Sequence, residues 1–329
     1  MFREMSIEII RKCPNHCLHC SSSSSANCSE VISFDLFKKV VDSVANLHLQ
    51  TICFSGGEPF LHPDIVKMVK YVSSKGIQAY IYTSGIYMDQ KSVRSSVPKE
   101  ILLQLKDFVT KLIFNIEAAT NKIYDRIMGT VGCFSYLRKT VSDAVAVGIT
   151  CEAHFVPMKH NIDEIEKTLQ FCQDIGISKV IFLRLVPHGR ALINKESILL
   201  SDKEMEALKK RLLKIHEQRH YSIRIGVPLS DSLSEVHCEA AIGKLNVKYD
   251  GAVYPCEVFK NISNLSTVFG LPENIYDKDI EEIYYHSLYL NNIRNFISNF
   301  CQSGNCENCA GQFVIQELQE KDGGIDGKA

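Results

Sequence analysis

Three cysteines constrain this chain more than any other feature. Cys13, Cys17 and Cys20 stand in a Cys-x3-Cys-x2-Cys spacing within residues 11–20 (RKCPNHCLHC), directly after residues 5–10 (MSIEII), which read as a buried strand. Three thiolates on one short loop can hold three irons of a four-iron, four-sulfur cluster. No fourth protein ligand stands at a matching spacing, so the fourth iron would be open to a small chelator. The alternative is zinc, with His16 or His19 as the fourth ligand.

A second stretch bears on that choice. A short apolar run, residues 51–54 (TICF), leads straight into Ser55-Gly56-Gly57-Glu58-Pro59. Two glycines without Cβ let a backbone approach a ligand closely. Pro59 ends the strand, and Pro63 is expected to open the next helix. A lone Gly-Gly-Glu-Pro is an ordinary turn. Placed at the end of the strand that follows the cysteine loop, it signals more.

With both motifs in place the chain resembles the radical S-adenosylmethionine (SAM) superfamily, whose cysteine loop after the first strand and Gly-Gly-Glu-Pro turn after the second stand here unbroken. The resemblance implies that the open iron binds the amino and carboxylate groups of SAM. It implies that an electron from the cluster cleaves SAM, and that the resulting 5′-deoxyadenosyl radical takes a hydrogen atom from substrate. A low-potential donor such as flavodoxin or ferredoxin is implied as reductant.

The chain has 329 residues, 45% of them apolar, enough for a large domain and a smaller one. A formal charge of −1 gives no electrostatic case for nucleic acid. Residues 1–8 lack the basic start and apolar run of a signal peptide, and no stretch approaches a membrane span, so a cytoplasmic protein is expected. Thirteen cysteines, odd in number and clustered, argue for metal ligation over a disulfide framework.

Strand and helix patterns alternate. Strands are expected at 5–10, 50–54, 78–82, 111–116, 149–155 and 179–185. The expected helices are 33–47 (capped by Ser33), 63–74, 98–106, 136–147, 162–175 and 201–218. The five serines at 21–25 read as a flexible surface connector. Six strand–helix units imply parallel pairing with right-handed crossovers, compatible with a doubly wound sheet or a β/α barrel. The resemblance selects an α/β fold, a partial (β/α)6 barrel. The cysteine loop, Gly56-Gly57-Glu58-Pro59 and Thr83-Ser84-Gly85 then all lie on the rim that follows the strands.

Further positions carry the resemblance. Residues 115–120 (NIEAAT) are similar to the family's Ser-Ile-Asp-Gly-Ala-Thr pattern, which gives Asn115 a ribose contact. Many members have Arg-Gly where this chain has Met128-Gly129; Arg126, two residues earlier, is then either the substitute contact for the SAM carboxylate or an ordinary solvated helix residue. Arg184, a charge in an apolar strand, needs a partner, either that carboxylate or a structural ion pair. The SAM-binding set that the resemblance implies is Gly56, Gly57, Glu58, Pro59, Ser84, Asn115, Arg126 and Arg184.

The tail has its own cysteines. Cys238 precedes an Asp250-Gly251 hairpin turn and Cys256; Cys301, Cys306 and Cys309 follow. The pattern resembles the twitch domain, the shortened SPASM domain, which implies one auxiliary [4Fe-4S] cluster at Cys238, Cys256, Cys306 and Cys309, with Cys301 spare. A ribbon-type zinc site is the alternative. Three segments are expected: a core at 1–220, the auxiliary domain at 221–315 and a disordered end at 316–329. The remaining cysteines, Cys28 apart, read as core. Neither His154 nor His188 is assigned to catalysis, and no general acid or base is named.

The reading as a whole is a radical SAM enzyme that oxidatively modifies a peptide or protein by cross-link, thioether or oxidation. The same chemistry on a small metabolite is one alternative, and a zinc-stabilised binding protein is the other. Because the first strand begins by Met5, no peptide-binding domain is expected before the barrel.

Overall fold

The computed structural model describes residues 2–226, 229, 238–260, 265–302, 309–314 and 317. Eleven strands are present among them: β1 (Glu4–Ile10), β2 (Thr51–Gly56), β3 (Gln78–Thr83), β4 (Ile86–Met88), β5 (Arg94–Ser96), β6 (Lys111–Asn115), β7 (Cys151–Phe155), β8 (Val180–Phe182), β9 (Ile223–Ile225), β10 (Lys244–Val247) and β11 (Val253–Tyr254). The helices are α1 (Phe34–Ala45), α2 (Ile65–Ser74), α3 (Lys99–Leu105), α4 (Asn121–Met128), α5 (Phe134–Ala146), α6 (Ile165–Asp174), α7 (Arg190–Ile193), α8 (Lys195–Ile198), α9 (Asp202–Gln218), α10 (Leu265–Phe269), α11 (Ile280–His286) and α12 (Leu288–Phe300).

The six expected strands pair in parallel, in the order β1-β2-β3-β6-β7-β8. The sheet then continues beyond them. β9 adds in parallel to β8, β10 adds in parallel to the other side of β1, and β11 closes a hairpin with β10. The sheet therefore has nine strands. β9 begins at Ile223, three residues beyond 220.

The two faces of the sheet differ in chemistry. Ile7, Phe54, Ile81, Leu112, Ala153, Phe155 and Phe182 face the helices and are buried; the Phe54 and Phe37 rings lie 5.5 Å apart across the β2–α1 contact. Burial of this apolar face is the main stabilising term, about 1.5–3 kcal/mol per large side chain. The register places polar residues on the other face: Glu4 opposite Thr51, Ser6 opposite Cys53, Tyr80 opposite Lys111, and Asn115 opposite His154.

That polar face is concave. His154 on β7 and Lys244 on β10 are five strand spacings apart, roughly 24 Å in a flat sheet. Yet Lys244, with Arg224 and Lys111, helps to lower the His154 pKa, after desolvation by burial, to about 3. Charges on strands so far apart in the order interact only if the sheet curls. This is the expected partial barrel, with a polar interior. Inside it Lys111 pairs with Glu152 at 2.8 Å, Tyr82 donates to Cys53 Sγ at 3.4 Å, and the Tyr82 and His154 rings lie 5.2 Å apart.

Local signals act where expected. Ser33 Oγ accepts from Leu36 N at the start of α1, and Ser201 with Glu204 forms a reciprocal cap on α9. The second helix begins at Ile65, two residues beyond Pro63. Two departures concern the elements around the site. The last strand is only three residues long, because β9 offers β8 partners only from Val180 to Phe182. The serine run is no surface connector. Ser22 and Ser24 are buried, Ser25 O accepts from Cys13 N at 3.0 Å, and Ser24 O accepts from Arg190 Nη2 at 2.8 Å. Small hydroxyl residues fit there because the segment packs under the barrel rim with its polar groups paired inside. Among the described residues, no helix is long and apolar enough to cross a membrane.

Candidate functional site

The cysteine loop leaves β1 and is held from three sides. From β2, Gly57 N donates to Ile10 O at 2.6 Å and Glu58 N to Lys12 O at 2.9 Å. A Cβ on Gly57 would overlap the carbonyl oxygens of Lys12 and Arg11, and one on Gly56 would overlap Ile10 O. The close approach that these glycines permit is therefore to the loop's own backbone.

From α4, the carbonyls of Met128 and Ile127 accept from His16 N and Leu18 N at 3.0 and 2.8 Å. Gly129 caps that helix with a positive φ, and a Cβ there would overlap His16 O. Met128 is packed in the core with its Sδ 3.7 Å from Cys17 Sγ.

From α7, Arg190 N donates to Cys20 O, Arg190 Nε to Cys17 O at 2.9 Å, and Asn194 Nδ2 to Leu18 O at 3.0 Å. The turn at Pro187-His188-Gly189-Arg190-Ala191 thus clamps the cysteine loop.

Glu58 is fully buried. Its carboxylate accepts from Thr83 Oγ1 at 2.6 Å, Ser84 N at 2.8 Å, Ser84 Oγ at 2.6 Å and Phe60 N at 3.3 Å. Burial raises its pKa, and these donors offset part of that rise. Glu58 and Ser84 therefore hold one another, joining the turns after β2 and β3. Pro59, also buried, starts the short 3-10 turn that follows.

The structure distributes the other expected contacts. Asn115 ends β6 on the concave face, half-buried. Arg126 is exposed in the last turn of α4, where its charge contributes to lowering the His160 pKa. Arg184 is half-buried, and its titratable neighbours are Cys309 and Asp202; burial lowers its pKa.

The loop's chemistry fits an iron–sulfur cluster with a bound polar ligand. Burial raises the Cys13 thiol pKa well above its usual range, and Cys17, Glu58 and Cys20 add to the rise. Cys17 is raised in the same way by burial and then by Cys20. Iron offsets the cost of ionising Cys13 and Cys17 here, because it takes cysteines as thiolates. Among the described residues, no three His, Cys, Asp or Glu side chains stand close enough to share a single ion. A four-iron cube takes one thiolate per iron.

Buried polar groups normally find partners. Several in or beside this loop have none: both amide atoms of Asn15, His19 Nδ1 and the Tyr124 hydroxyl. His19 Nε2 lies 3.3 Å from Glu117 Oε1, and Glu117 Oε2 accepts from Val156 N at 2.9 Å. Asn161 finishes this corner, donating to Glu117 O and Val156 O at 3.0 Å each. Asn15, Tyr124 and Asn161 carry no sequence signal: the first two bury polar atoms that have no partner in the chain, and Asn161 joins Glu117, 44 residues earlier, to the turn after β7.

In the tail, burial, Glu257, Cys309 and Cys238 all raise the Cys256 pKa, and Cys238 adds to the burial that raises Cys309. Cys238, Cys256 and Cys309 are thus electrostatic neighbours. Cys306 lies outside the described residues, as does the segment 316–329 apart from Glu317. Cys301 caps the end of α12.

Comparison with known proteins agrees with this geometry. A PqqA peptide cyclase from Ruegeria pomeroyi is 24% identical over 295 residues, covering 88% of this chain and 75% of the relative. The antilisterial bacteriocin subtilosin biosynthesis protein AlbA of Bacillus subtilis is 24% identical over 302 residues, covering 91% of this chain and 64% of that protein. Among solved structures, Streptococcus suis SuiB bound to S-adenosylmethionine superposes with a TM-score of 0.71 at 17% identity, over 90% of this chain and 68% of that one. The family model described as the Radical SAM superfamily matches residues 7–172, just over half of the chain, from β1 through α6. With its cysteine loop clamped at the rim of a parallel partial barrel, the chain belongs to the radical SAM superfamily.

Proposed function

We propose that this enzyme oxidatively modifies a peptide or protein, with SAM and a [4Fe-4S] cluster at Cys13, Cys17 and Cys20 and one auxiliary [4Fe-4S] cluster in its tail. The observation that supports the second cluster is that Cys238, Cys256 and Cys309 lie within electrostatic reach of one another, and the resemblance adds Cys306 as fourth ligand. When bound, SAM at the first cluster supplies the radical that removes a substrate hydrogen atom. The protein's own part is to position and to shield. Glu58 with Thr83 and Ser84 fixes the rim, Asn115 faces the ribose, and Gly56, Gly57 and Pro59 shape the turn that seats the loop. Arg126 and Arg184 remain carboxylate partners in this proposal; the neighbours of Arg184 favour a role at the tail end of the cavity.

A peptide substrate is supported by the relatives named as a peptide cyclase and a bacteriocin biosynthesis protein, and by SuiB, which was also solved bound to its precursor peptide SuiA. The concave face offers paired charges and hydrogen-bonding side chains, such as Lys111, Glu152, Tyr82 and His154, that suit a peptide backbone. The proposal includes a cluster-binding core to about residue 220 and an auxiliary unit to about residue 315. It also includes a flavodoxin- or ferredoxin-type donor and a cytoplasmic setting.

The test is incubation of oxygen-free enzyme with SAM, reductant and short peptides encoded beside the gene, followed by mass spectrometry. Loss of two hydrogens from one peptide, with SAM consumed in step, is the expected result. Turnover of a small metabolite with every peptide unchanged would overturn the peptide reading.

A further inference from the structure

The inward residues of β1 meet the tail in three successive contacts. Glu4 pairs with Lys244 at 2.9 Å. Ser6 donates to Glu257 and accepts from Asn246 Nδ2 at 2.8 Å. Glu8 pairs with Lys260. The last contact is the most buried: the Lys260 and Glu8 side chains are 5% and 1% exposed. Lys260 Nζ also donates to Ser22 Oγ at 2.9 Å, and Ser22 Oγ donates to Glu8 Oε1 at 2.6 Å. Ser22 stands two residues after Cys20, and Lys260 stands four residues after Cys256. One short tail segment therefore joins the two cysteine sets.

Stability does not account for this pair. Desolvating two charges is costly, and apolar replacement of a buried pair is often neutral or stabilising. A charge beside an iron–sulfur cluster, in contrast, changes how readily that cluster takes up an electron. Burial alone would lower the Lys260 pKa, but Glu8, Glu257 and Cys20 raise it, so the ammonium stays charged.

We propose that Lys260 is a positioning residue supplied by the tail, which holds the segment after Cys20 and, balanced by Glu8, sets the reduction potential of the cluster at Cys13, Cys17 and Cys20. The proposal rests on the family's reading of those three cysteines. A cation favours the more negative, reduced cluster, and an anion disfavours it. Loss of the Glu8 charge leaves an uncompensated cation, and loss of the Lys260 charge leaves an uncompensated anion. Generation of the radical then depends on a tail that is correctly seated.

The experiment is a redox titration of the full chain, purified without oxygen and followed by electron paramagnetic resonance. It reads the midpoint of the signal that changes on SAM addition, in wild type, Glu8→Gln, Lys260→Met and the double variant. The expected midpoints shift to more positive values in Glu8→Gln, to more negative values in Lys260→Met, and back toward wild type in the double variant. A merely structural pair would lower iron content in both single variants without opposite shifts. Shifts of the same sign, or none, would overturn the proposal. If Lys260→Met does not retain its cluster, Glu8→Gln decides: a positive shift supports the proposal, and no shift or a negative one overturns it. Wild type without iron would overturn the cluster reading and the proposal with it, a result distinct from iron-loaded variants with unmoved midpoints.

Discussion

Arg190 Nε donates to the carbonyl oxygen of Cys17 at 2.9 Å, while Nη2 of the same guanidinium reaches Ser24 O at 2.8 Å. One side chain from the end of the barrel thus holds both limbs of the cysteine loop. A lysine carries the charge but not the planar fork. Arg190→Lys is expected to keep the fold and to lose about 1–3 kcal/mol of loop stabilisation. The check is iron release under a chelator, which should be at least several-fold faster in the variant while the urea midpoint moves little.

Gly57→Ala should do more harm. Its methyl group would overlap two carbonyl oxygens of the loop backbone, where no flexible side chain can yield. Overpacking of this kind costs about 1–3 kcal/mol or more. Urea unfolding should show the loss, together with poor iron uptake.

Asn161 is fully buried, and all its polar atoms are used: Nδ2 donates to two carbonyls and Oδ1 accepts from Met158 N at 2.7 Å. Asn161→Asp sets a carboxylate oxygen against the carbonyls of Glu117 and Val156. A loss of about 3–5 kcal/mol is expected, read as a lower urea midpoint. Asn161→Ala, which removes the repulsion, should lose less.

His154 gives a pH dependence. Its pKa is lowered from 6.5 to about 3, by burial first and then by Arg224, Lys111 and Lys244. A histidine with a depressed folded pKa contributes stability above 6.5, and that contribution is lost as pH falls from 6.5 toward 3. Wild type should therefore lose up to about 2 kcal/mol between pH 7 and pH 5 that His154→Gln does not. Urea midpoints at the two pH values measure the difference.

The sequence made the barrel legible because each strand carries its own apolar signal and each connection its own turn. Cys13, Cys17, Cys20 and the Gly56-Gly57-Glu58-Pro59 turn were legible for the same reason: they are local spacings. The Asp250-Gly251 turn made the β10–β11 hairpin legible as well, but not its place beside β1, and the three-residue β9 was not legible, since so short a segment becomes a strand only when a neighbour offers an edge. The serine run misled because composition suggests solvent, whereas Ser22 is fixed by Glu8 and by Lys260, 238 residues farther along the chain. The Glu58 carboxylate's partners, Thr83 and Ser84, stand 25 and 26 residues farther along the chain, so no local spacing reveals that pairing.

Two iron–sulfur sites on one chain can be counted from the iron and sulfide content, with the absorption spectrum, of protein purified without oxygen. Wild type would be run beside a triple variant, Cys13→Ala, Cys17→Ala and Cys20→Ala. About eight irons falling to about four is the predicted result for two cubes. Colourless protein with zinc in place of iron, or a wild type with only about four irons that the triple variant loses entirely, would contradict it.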